Sequence, residues 1–243
     1  MNLIVDVGNT QIKFAVFDAD QLVEKSVVPS EHSIDFFRKI LQSYPKLSKG
    51  IISSTSEVPA ALESLLTENV DLLKFSHQSK LNFHNNYKTP ETLGLDRIAL
   101  VAAAVDEFPL HNVLVIDAGT CITYDFIDKK SVYQGGAISP GLQMRYKAMH
   151  TFTKKLPLIK EAFQASTYIG QSTKEAMQVG VCKSICYEID GYIEDYLTDY
   201  EDLTVVLTGG DYYLLSASIK NSIFATSNFL LKGLNKILQL NSI

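Results

Sequence analysis

The fold is decided by residues 3–18, LIVDVGNTQIKFAVFD. A short apolar run, Leu3 to Val5, leads to the carboxylate of Asp6, and a polar turn over residues 8–10 follows. Over residues 12–17 the side chains alternate with a period of two. This pattern predicts a strand, a tight turn and a second strand, with Asp6 at the end of the first strand.

The turn carries the groups that a metal–phosphate site needs. Gly8 lets backbone N–H groups approach phosphate oxygens closely, and Asn9, Thr10 and Lys13 can donate further hydrogen bonds. A strand-end aspartate is equally often a solvated turn residue, so this stretch alone leaves both interpretations open.

The second half of the chain opens on a similar stretch, VLVIDAGTCITYDFID, at residues 113–128. When Asn9 is removed from the first copy, the two stretches align, and Asp117 follows Asp6 by 111 residues, close to half of the chain. The alignment pairs Asp6 with Asp117, Gly8 with Gly119, Thr10 with Thr120 and Asp18 with Asp128. An internal repeat of this size predicts two similar α/β halves, residues 1–112 and 113–243, with chance similarity as the alternative.

Between these landmarks the pattern alternates strands and helices. The first half predicts the order β-β-β-α-β-α-β with helices covering a central sheet, followed by an exposed loop at 76–92 and a helix at 92–105. In the second half we expect helices at 142–151, 174–197 and 229–240 and a strand at 204–207. The glycines and proline of GGAISPG, residues 135–141, predict irregular structure there.

Composition excludes several functional classes. The net charge of −5 gives no electrostatic footprint for nucleic acid or an anionic membrane. The longest purely apolar run, residues 98–105, is too short to span a bilayer, and no export signal is seen. Three cysteines without a CxxC pattern fit a reducing compartment. We therefore expect a soluble cytoplasmic protein without membrane or nucleic-acid partners.

Three strand ends now carry glycine: DVGNT at 6–10, DAGTC at 117–121 and TGGD at 208–211. There is no GxxxxGK[ST] loop and no GxGxxG, so neither a P-loop nor a Rossmann site is supported. The pattern resembles the acetate- and sugar-kinase/actin superfamily, and more closely the type III pantothenate kinases. The closer resemblance rests on seven stretches in family order: DVGNTQIK at 6–13, Tyr87, GLDR at 94–97, DAGTCIT at 117–123, GGAISPG at 135–141, GQST at 170–173 and TGGD at 208–211.

The resemblance implies two duplicated ribonuclease-H-like (actin-like ATPase) domains with the active site in the cleft between them. It implies phosphorylation of pantothenate by ATP, with Mg²⁺ and a monovalent cation, K⁺ or NH₄⁺, as cofactors, and a homodimer. The ATP-binding residues would be Asp6, Val7, Gly8, Asn9, Thr10, Gln11, Ile12, Lys13 and Thr120. Asp6 would hold Mg²⁺ through water, and Asp117 would bind the monovalent cation.

The acceptor side of the site, meaning the part that binds the phosphoryl acceptor pantothenate, would come from the GLDR helix and the loop before it. By resemblance Asp96 is the general base, and the pantothenate-binding residues are Tyr87, Gly94, Leu95, Asp96, Arg97 and Thr173. From the sequence itself, Asp96 falls in the first turn of a helix, where the dipole favours a charged carboxylate. A favourable helix-start acid with no catalytic role is the alternative. Thr173 would reach pantothenate across the dimer interface.

Three rival functions stay open on the sequence alone. The first is a kinase for another small hydroxylated or carboxylated molecule, which the GLDR stretch and Tyr87 oppose. The second is a non-catalytic transcriptional accessory factor on the same fold, which the acidic pI and Asp96 oppose. The third is a ribonuclease-H-like nuclease, which would favour a basic surface and does not explain the second glycine turn.

Overall fold

The structure, a computed structural model, describes residues 1–8, 10–54, 57–161 and 167–242. Asn9 of the predicted ATP-binding segment therefore lies outside the described residues. The chain divides into two compact units, residues 1–107 with 229–243 and residues 108–228. Each unit contains a mixed sheet with helices packed against it.

The main segment of the first unit alternates strands and helices as predicted. Its elements are β1 (Asn2–Val7), β2 (Gln11–Asp18), β3 (Gln21–Pro29), α1 (Ser33–Ser43), β4 (Lys49–Ser54), α2 (Ala60–Asn69), β5 (Asp71–Lys74), the two-residue β6 (His84–Asn85) and α3 (Leu95–Glu107). The first five strands form a sheet in the order β3-β2-β1-β4-β5, so β1 lies in the middle. Alternate residues of β1 and β2, among them Val5 and Phe14, pack with Phe37 of α1 and Leu62 of α2.

The second unit repeats this plan. Its elements are β7 (Asn112–Ala118), β8 (Cys121–Ile127), β9 (Val132–Pro140), α4 (Leu142–Thr151), α5 (Thr173–Asp199), β10 (Leu203–Thr208), α6 (Tyr212–Ser216) and β11 (Phe224–Ala225), and the chain ends with α7 (Phe229–Asn241). The strand order β9-β8-β7-β10-β11 matches that of the first unit. The core lies between this sheet and the long helix α5, whose Ile185 and Ile189 are fully buried.

The hydrogen bonds of the two glycine turns confirm the predicted repeat. The Gly8 N–H donates to Gln11 O at 3.0 Å, and the Gly119 N–H donates to Cys121 O at 3.0 Å. The second turn is thus one residue shorter, as the alignment that removed Asn9 requires. Both third strands end in proline, and the next residue donates its N–H back to the turn, Ser30 to Thr10 O at 3.4 Å and Gly141 to Thr120 O at 3.1 Å.

The prediction of irregular structure at 135–141 was wrong. These residues continue β9 to Pro140, and β9 pairs antiparallel with β8. A β-carbon at Gly136 would overlap the backbone of Tyr124 on β8, and Gly135 has a positive φ of 106°. The glycines therefore permit a close backbone approach and a local irregularity within the strand instead of ending it.

The C-terminal helix packs differently from the predicted division at 112/113. Although it follows the second sheet in the chain, α7 belongs to the first unit. The buried Asn235 donates from Nδ2 to Ala19 O at 2.9 Å and accepts from Asn2 Nδ2 at 2.8 Å. An amphipathic pattern shows that a helix buries one face but not which element covers it, so the sequence placed α7 in the wrong unit.

The crossing of α3 and α7 gives a test of this packing. A β-carbon at Gly233 would overlap the Ala99 carbonyl on α3, so Gly233→Ala must push the two helices apart. We expect a loss of about 2 kcal/mol, seen as a drop of roughly 4–8 °C in the thermal midpoint.

Gly180→Ala on α5 is the matched control, because a β-carbon there meets no atom within 4 Å. It removes a helix-interior glycine without a clash and should stabilise the protein by up to about 1 kcal/mol. Equal thermal midpoints for wild type and Gly233→Ala would contradict the close helix contact.

Candidate active site

The first glycine turn joins a buried carboxylate to a lysine. Asp6, 8% exposed, is paired across the sheet with Lys13 on β2. The Lys13 ammonium donates to Asp6 Oδ2 at 2.9 Å and keeps nearly half of its side chain exposed. Lys13 thus compensates the buried charge of Asp6 while its amine stays within reach of solvent.

The other residues of the predicted ATP-binding segment fall into two groups. The side chains of Val7 and Ile12 are buried in the core, so only their backbone groups could contact a ligand. Thr10 and Gln11 are exposed at the turn. Gly8 is held by its N–H bond to Gln11 O, and a β-carbon there would lie 3.1 Å from that oxygen. The segment therefore presents small polar groups and backbone at the end of β1.

The predicted acceptor residues come together at the start of α3. The Asp96 carboxylate accepts from the Arg97 N–H at 2.8 Å and lies directly over Gly94, where a β-carbon would overlap its Oδ1. Leu95 begins the helix. The guanidinium carbon of Arg97 lies 5.8 Å from the centre of the Tyr87 ring, within cation–π range. Arg97 is only 5% exposed, so its charge is part of a built site and not a surface feature.

The second glycine turn lies at the end of β7. Asp117 is paired with Thr123 on β8 and with Thr208 on β10, and its side chain is partly exposed. Gly209 has a φ of +99°, and a β-carbon there would overlap Asp117 Oδ1 and Ala118 O. The carboxylate and nearby carbonyl oxygens are the ligand types that a hard cation prefers.

Two further segments pack against this turn. A β-carbon at Gly141 would overlap the Gly119 and Thr120 carbonyls, and the Asp211 N–H donates to Ala118 O at 2.9 Å. Thr120 itself is exposed. Burial raises the pKa of the Asp211 carboxyl. The sequence motifs DAGTC, SPG and TGGD therefore meet at one place in the second unit.

The sequence reasoning missed what TGGD corresponds to in the first unit. Asp6 pairs with Ser53 on β4, just as Asp117 pairs with Thr208 on β10. Ser53, near the end of β4, is therefore the structural counterpart of Thr208, the first residue of TGGD. Only the position of each strand in the repeat could have revealed this equivalence.

Thr173 is exposed at the first position of α5. Ser172 is the N-cap and accepts from the Glu175 N–H at 3.2 Å, while Glu175 accepts from the Gln171 N–H at 2.8 Å. The GQST motif thus forms a well-capped helix start. Asp6, Lys13, Tyr87, Asp96 and Arg97 belong to the first unit, and the second contains Asp117, Thr120 and Thr173.

Two features are absent from residues 1–8, 10–54, 57–161 and 167–242. Those residues contain no group of three or more His, Cys, Asp or Glu side chains placed to hold a metal. None of the helices within them is long and apolar enough to cross a membrane.

Comparison with known proteins decides the family. The family model for type III pantothenate kinase matches residues 2–195. A type III pantothenate kinase of Christiangramia forsetii is 48% identical over 241 residues, covering 99% of both chains, and that of Flavobacterium johnsoniae is 44% identical over 98% of both. The chain belongs to the type III pantothenate kinase family. The predictions of family and of a kinase are confirmed.

Solved structures support the fold. A conserved protein from Campylobacter jejuni, placed in the Baf family of transcriptional activators, matches 98% of this pantothenate kinase with a TM-score of 0.60 at 24% identity. A ROK family glucokinase from Streptomyces griseus matches 99% of it with a TM-score of 0.52 at 10% identity. At such identities the likeness concerns the fold alone, and it confirms the predicted two-domain ribonuclease-H-like architecture.

The three cysteines, Cys121 at the second turn and Cys182 and Cys186 on α5, should differ in reactivity. Burial raises the pKa of Cys186 to about 11 and also raises that of Cys182, whose Sγ lies 3.6 Å from Tyr146 Oη. Cys121 is only partly buried. Because the thiolate is the reactive form, we expect a disulfide-exchange reagent at pH 8 to label one thiol in the native protein and three after denaturation.

Cys121→Ser is the control for this assignment. It should abolish the fast labelling of the native protein and leave two thiols that react only after denaturation. Fast labelling that persists in Cys121→Ser would show that Cys182 or Cys186 is accessible.

Proposed function

We propose that this kinase transfers the γ-phosphoryl group of ATP to the primary hydroxyl of pantothenate, giving 4'-phosphopantothenate in the first step of coenzyme A biosynthesis. The observation that carries the proposal is the cluster of Tyr87, Gly94, Asp96 and Arg97 at the start of α3, within a chain of the type III pantothenate kinase family. The cluster contains the Asp96 carboxylate and, beside the Tyr87 ring, the buried guanidinium of Arg97. These groups suit a small hydroxylated acid as the ligand.

Phosphoryl transfer requires positioning and neutralisation of charge more than covalent chemistry. Asp96 is the group that we assign to accept the proton of the attacking hydroxyl. Its carboxylate is partly exposed, and the Arg97 N–H fixes one of its oxygens. The second oxygen can take a proton while the first keeps the carboxylate oriented.

The rest of the acceptor site follows from the surroundings of Asp96. Arg97 carries a planar fork of donors suited to the carboxylate or carbonyl oxygens of pantothenate, and the Tyr87 ring supports the guanidinium. Gly94 and Leu95 supply backbone at the helix start. Thr173 completes the pocket from the partner subunit of a homodimer, and we place the enzyme in the cytoplasm.

Each of the two glycine turns is proposed to bind ATP phosphate oxygens. The segment Asp6–Lys13, including Asn9, provides backbone and side-chain donors from the first unit, and Thr120 provides a hydroxyl from the second. Asp6 suits Mg²⁺ held through water, because a single carboxylate beside phosphate oxygens is a common setting for that ion. When bound, Mg²⁺ would neutralise phosphate charge.

Asp117 is the proposed ligand of a monovalent cation, K⁺ or NH₄⁺. Its carboxylate adjoins the Ala118 and Gly209 backbone, which is an oxygen-rich setting for a weakly hydrated cation. A cation bound there would supply positive charge next to the turn that contains Thr120.

The general base is tested by Asp96→Asn in a pantothenate phosphorylation assay. The amide cannot accept the proton, so we expect kcat to fall by about 10²–10⁴-fold. Asp35→Asn is the matched control, because Asp35 also lies in the first turn of a helix, α1, and is 77% exposed in an ion pair with Arg38.

The control should leave kcat unchanged and cost less than about 1 kcal/mol of stability. Full activity in Asp96→Asn would contradict the role of Asp96. Wild type that phosphorylates another hydroxylated acid but not pantothenate would contradict the substrate.

The cation site is tested by exchanging the salt. Turnover of the wild type should fall when K⁺ and NH₄⁺ are replaced by tetramethylammonium at equal ionic strength, because that cation is too large for an oxygen cage. Asp117→Asn should be slow in both salts and insensitive to the exchange. Equal turnover of the wild type in both salts would refute the role of Asp117.

A further inference from the structure

Arg145 makes an unusual set of contacts in the second unit. It lies in the first turn of α4, where its positive charge opposes the helix dipole, so local electrostatics do not favour it there. Its side chain is 17% exposed, and the Nη2 atom lies 2.6 Å from Glu188 Oε2 on α5. The guanidinium is therefore held by tertiary contacts and not by its own helix.

The same guanidinium binds the end of β9. Nε donates to the Pro140 carbonyl at 2.8 Å, and Nη2 donates to Ser139 Oγ at 2.9 Å. Nη1 donates to Ser184 Oγ on α5 at 3.3 Å. Arg145 thus links the Ser139 hydroxyl and the Pro140 backbone to helix α5 with the planar donor geometry that only arginine has.

Glu188 is in turn fixed from the sheet. It accepts from the Tyr124 hydroxyl on β8 at 2.9 Å, and Tyr124 is fully buried. Burial alone would raise the pKa of Glu188, but the hydrogen bonds from Arg145, Ser139 and Tyr124 outweigh it and lower the pKa. The Arg145–Glu188 pair is therefore a charged link between β8, β9, α4 and α5.

The segment that Arg145 holds is the one that supports the second glycine turn. Pro140 pairs with Cys121, the Gly141 N–H donates to Thr120 O at 3.1 Å, and the Gly141 backbone touches the Gly119 and Thr120 carbonyls too closely for any side chain. A shift of residues 139–141 would therefore move the backbone of Gly119 and Thr120.

In the first repeat, the residues that follow the third strand and contact the glycine turn are held by different groups. There the Ser30 N–H bond to Thr10 O is longer, 3.4 Å, and the Ser33 hydroxyl donates to Ser30 O at 2.6 Å. In the first repeat this segment is held by the neutral Ser33 hydroxyl, whereas in the second repeat it is held by the Arg145–Glu188 ion pair between two helices. The second turn is thus the one that the fold supports with a partly buried ion pair.

We propose that Arg145 is a positioning residue for nucleotide binding, which holds the Gly119–Thr120 turn in place through Pro140 and Gly141. The inference rests on the proposed role of Thr120 at the ATP phosphates. It assigns to Arg145 no contact with substrate.

The test is Arg145→Lys, with the dissociation constant of MgADP measured by calorimetry beside KM for both substrates. Lysine keeps the charge but cannot bind Pro140, Ser139 and Glu188 together. We expect weaker MgADP binding and a higher KM for ATP, each by about tenfold, with KM for pantothenate nearly unchanged. Arg38→Lys on α1 is the matched control, because that arginine makes an exposed ion pair with Asp35 at 3.5 Å, and it should change neither constant.

Glu188→Gln is the second variant, because glutamine keeps the shape and a hydrogen bond to Arg145 but removes the charge. It should weaken MgADP binding in the same direction and by less. A lower thermal midpoint with unchanged MgADP binding in both variants would overturn the proposal and leave Arg145 a structural residue. Wild type that binds MgADP but does not phosphorylate pantothenate would instead refute the proposed function, while the binding measurements would still test Arg145.

Discussion

The structure depends on one constraint, which is that the first strand of each repeat is paired on both sides. The strand β1 hydrogen-bonds antiparallel to β2 and parallel to β4, and β7 does the same with β8 and β10. A strand held on both edges cannot slip without moving its side chains to the wrong face. The carboxylates of Asp6 and Asp117 are therefore fixed where the ends of neighbouring strands meet.

The second repeat adds close backbone contact to this constraint. At Gly136, Gly141 and Gly209 the chain approaches a neighbour too closely for a β-carbon. Gly209 thereby brings backbone beside the Asp117 carboxylate, and Gly141 brings backbone beside the Gly119 and Thr120 carbonyls. Such backbone groups are fixed dipoles, which do not need to reorganise when a charge is placed beside them.

Much of this arrangement could be predicted, because it is encoded locally. A short apolar run and a period-two alternation predicted β1 and β2, and the similarity of the two stretches predicted β7, β8 and the repeat. Tyr87, Asp96 and Arg97, which the structure brings together, lie within a short span of residues, so their motif could be recognised as one unit. What failed depends on contacts between distant residues. The glycines of β9 suggested a loop because their partner, Tyr124, is not visible in the local sequence. Arg145 and Glu188 are 43 residues apart, and neither has a local signal of its role.

The position of α7 shows how the repeat and the packing differ. In chain order α7 follows β11 as α3 follows β5, so α7 is the last helix of the second copy. It nevertheless packs on α3 and β1 in the first unit, with Gly233 against Ala99 and Lys236 paired with Asp106 at 2.5 Å. The helix α3, which begins at Leu95, is therefore held by an element that the other copy supplies. This contact makes the placement of Asp96, in the first turn of α3, depend on residues of both copies. Duplication here supplies a second glycine turn and also a helix that supports α3.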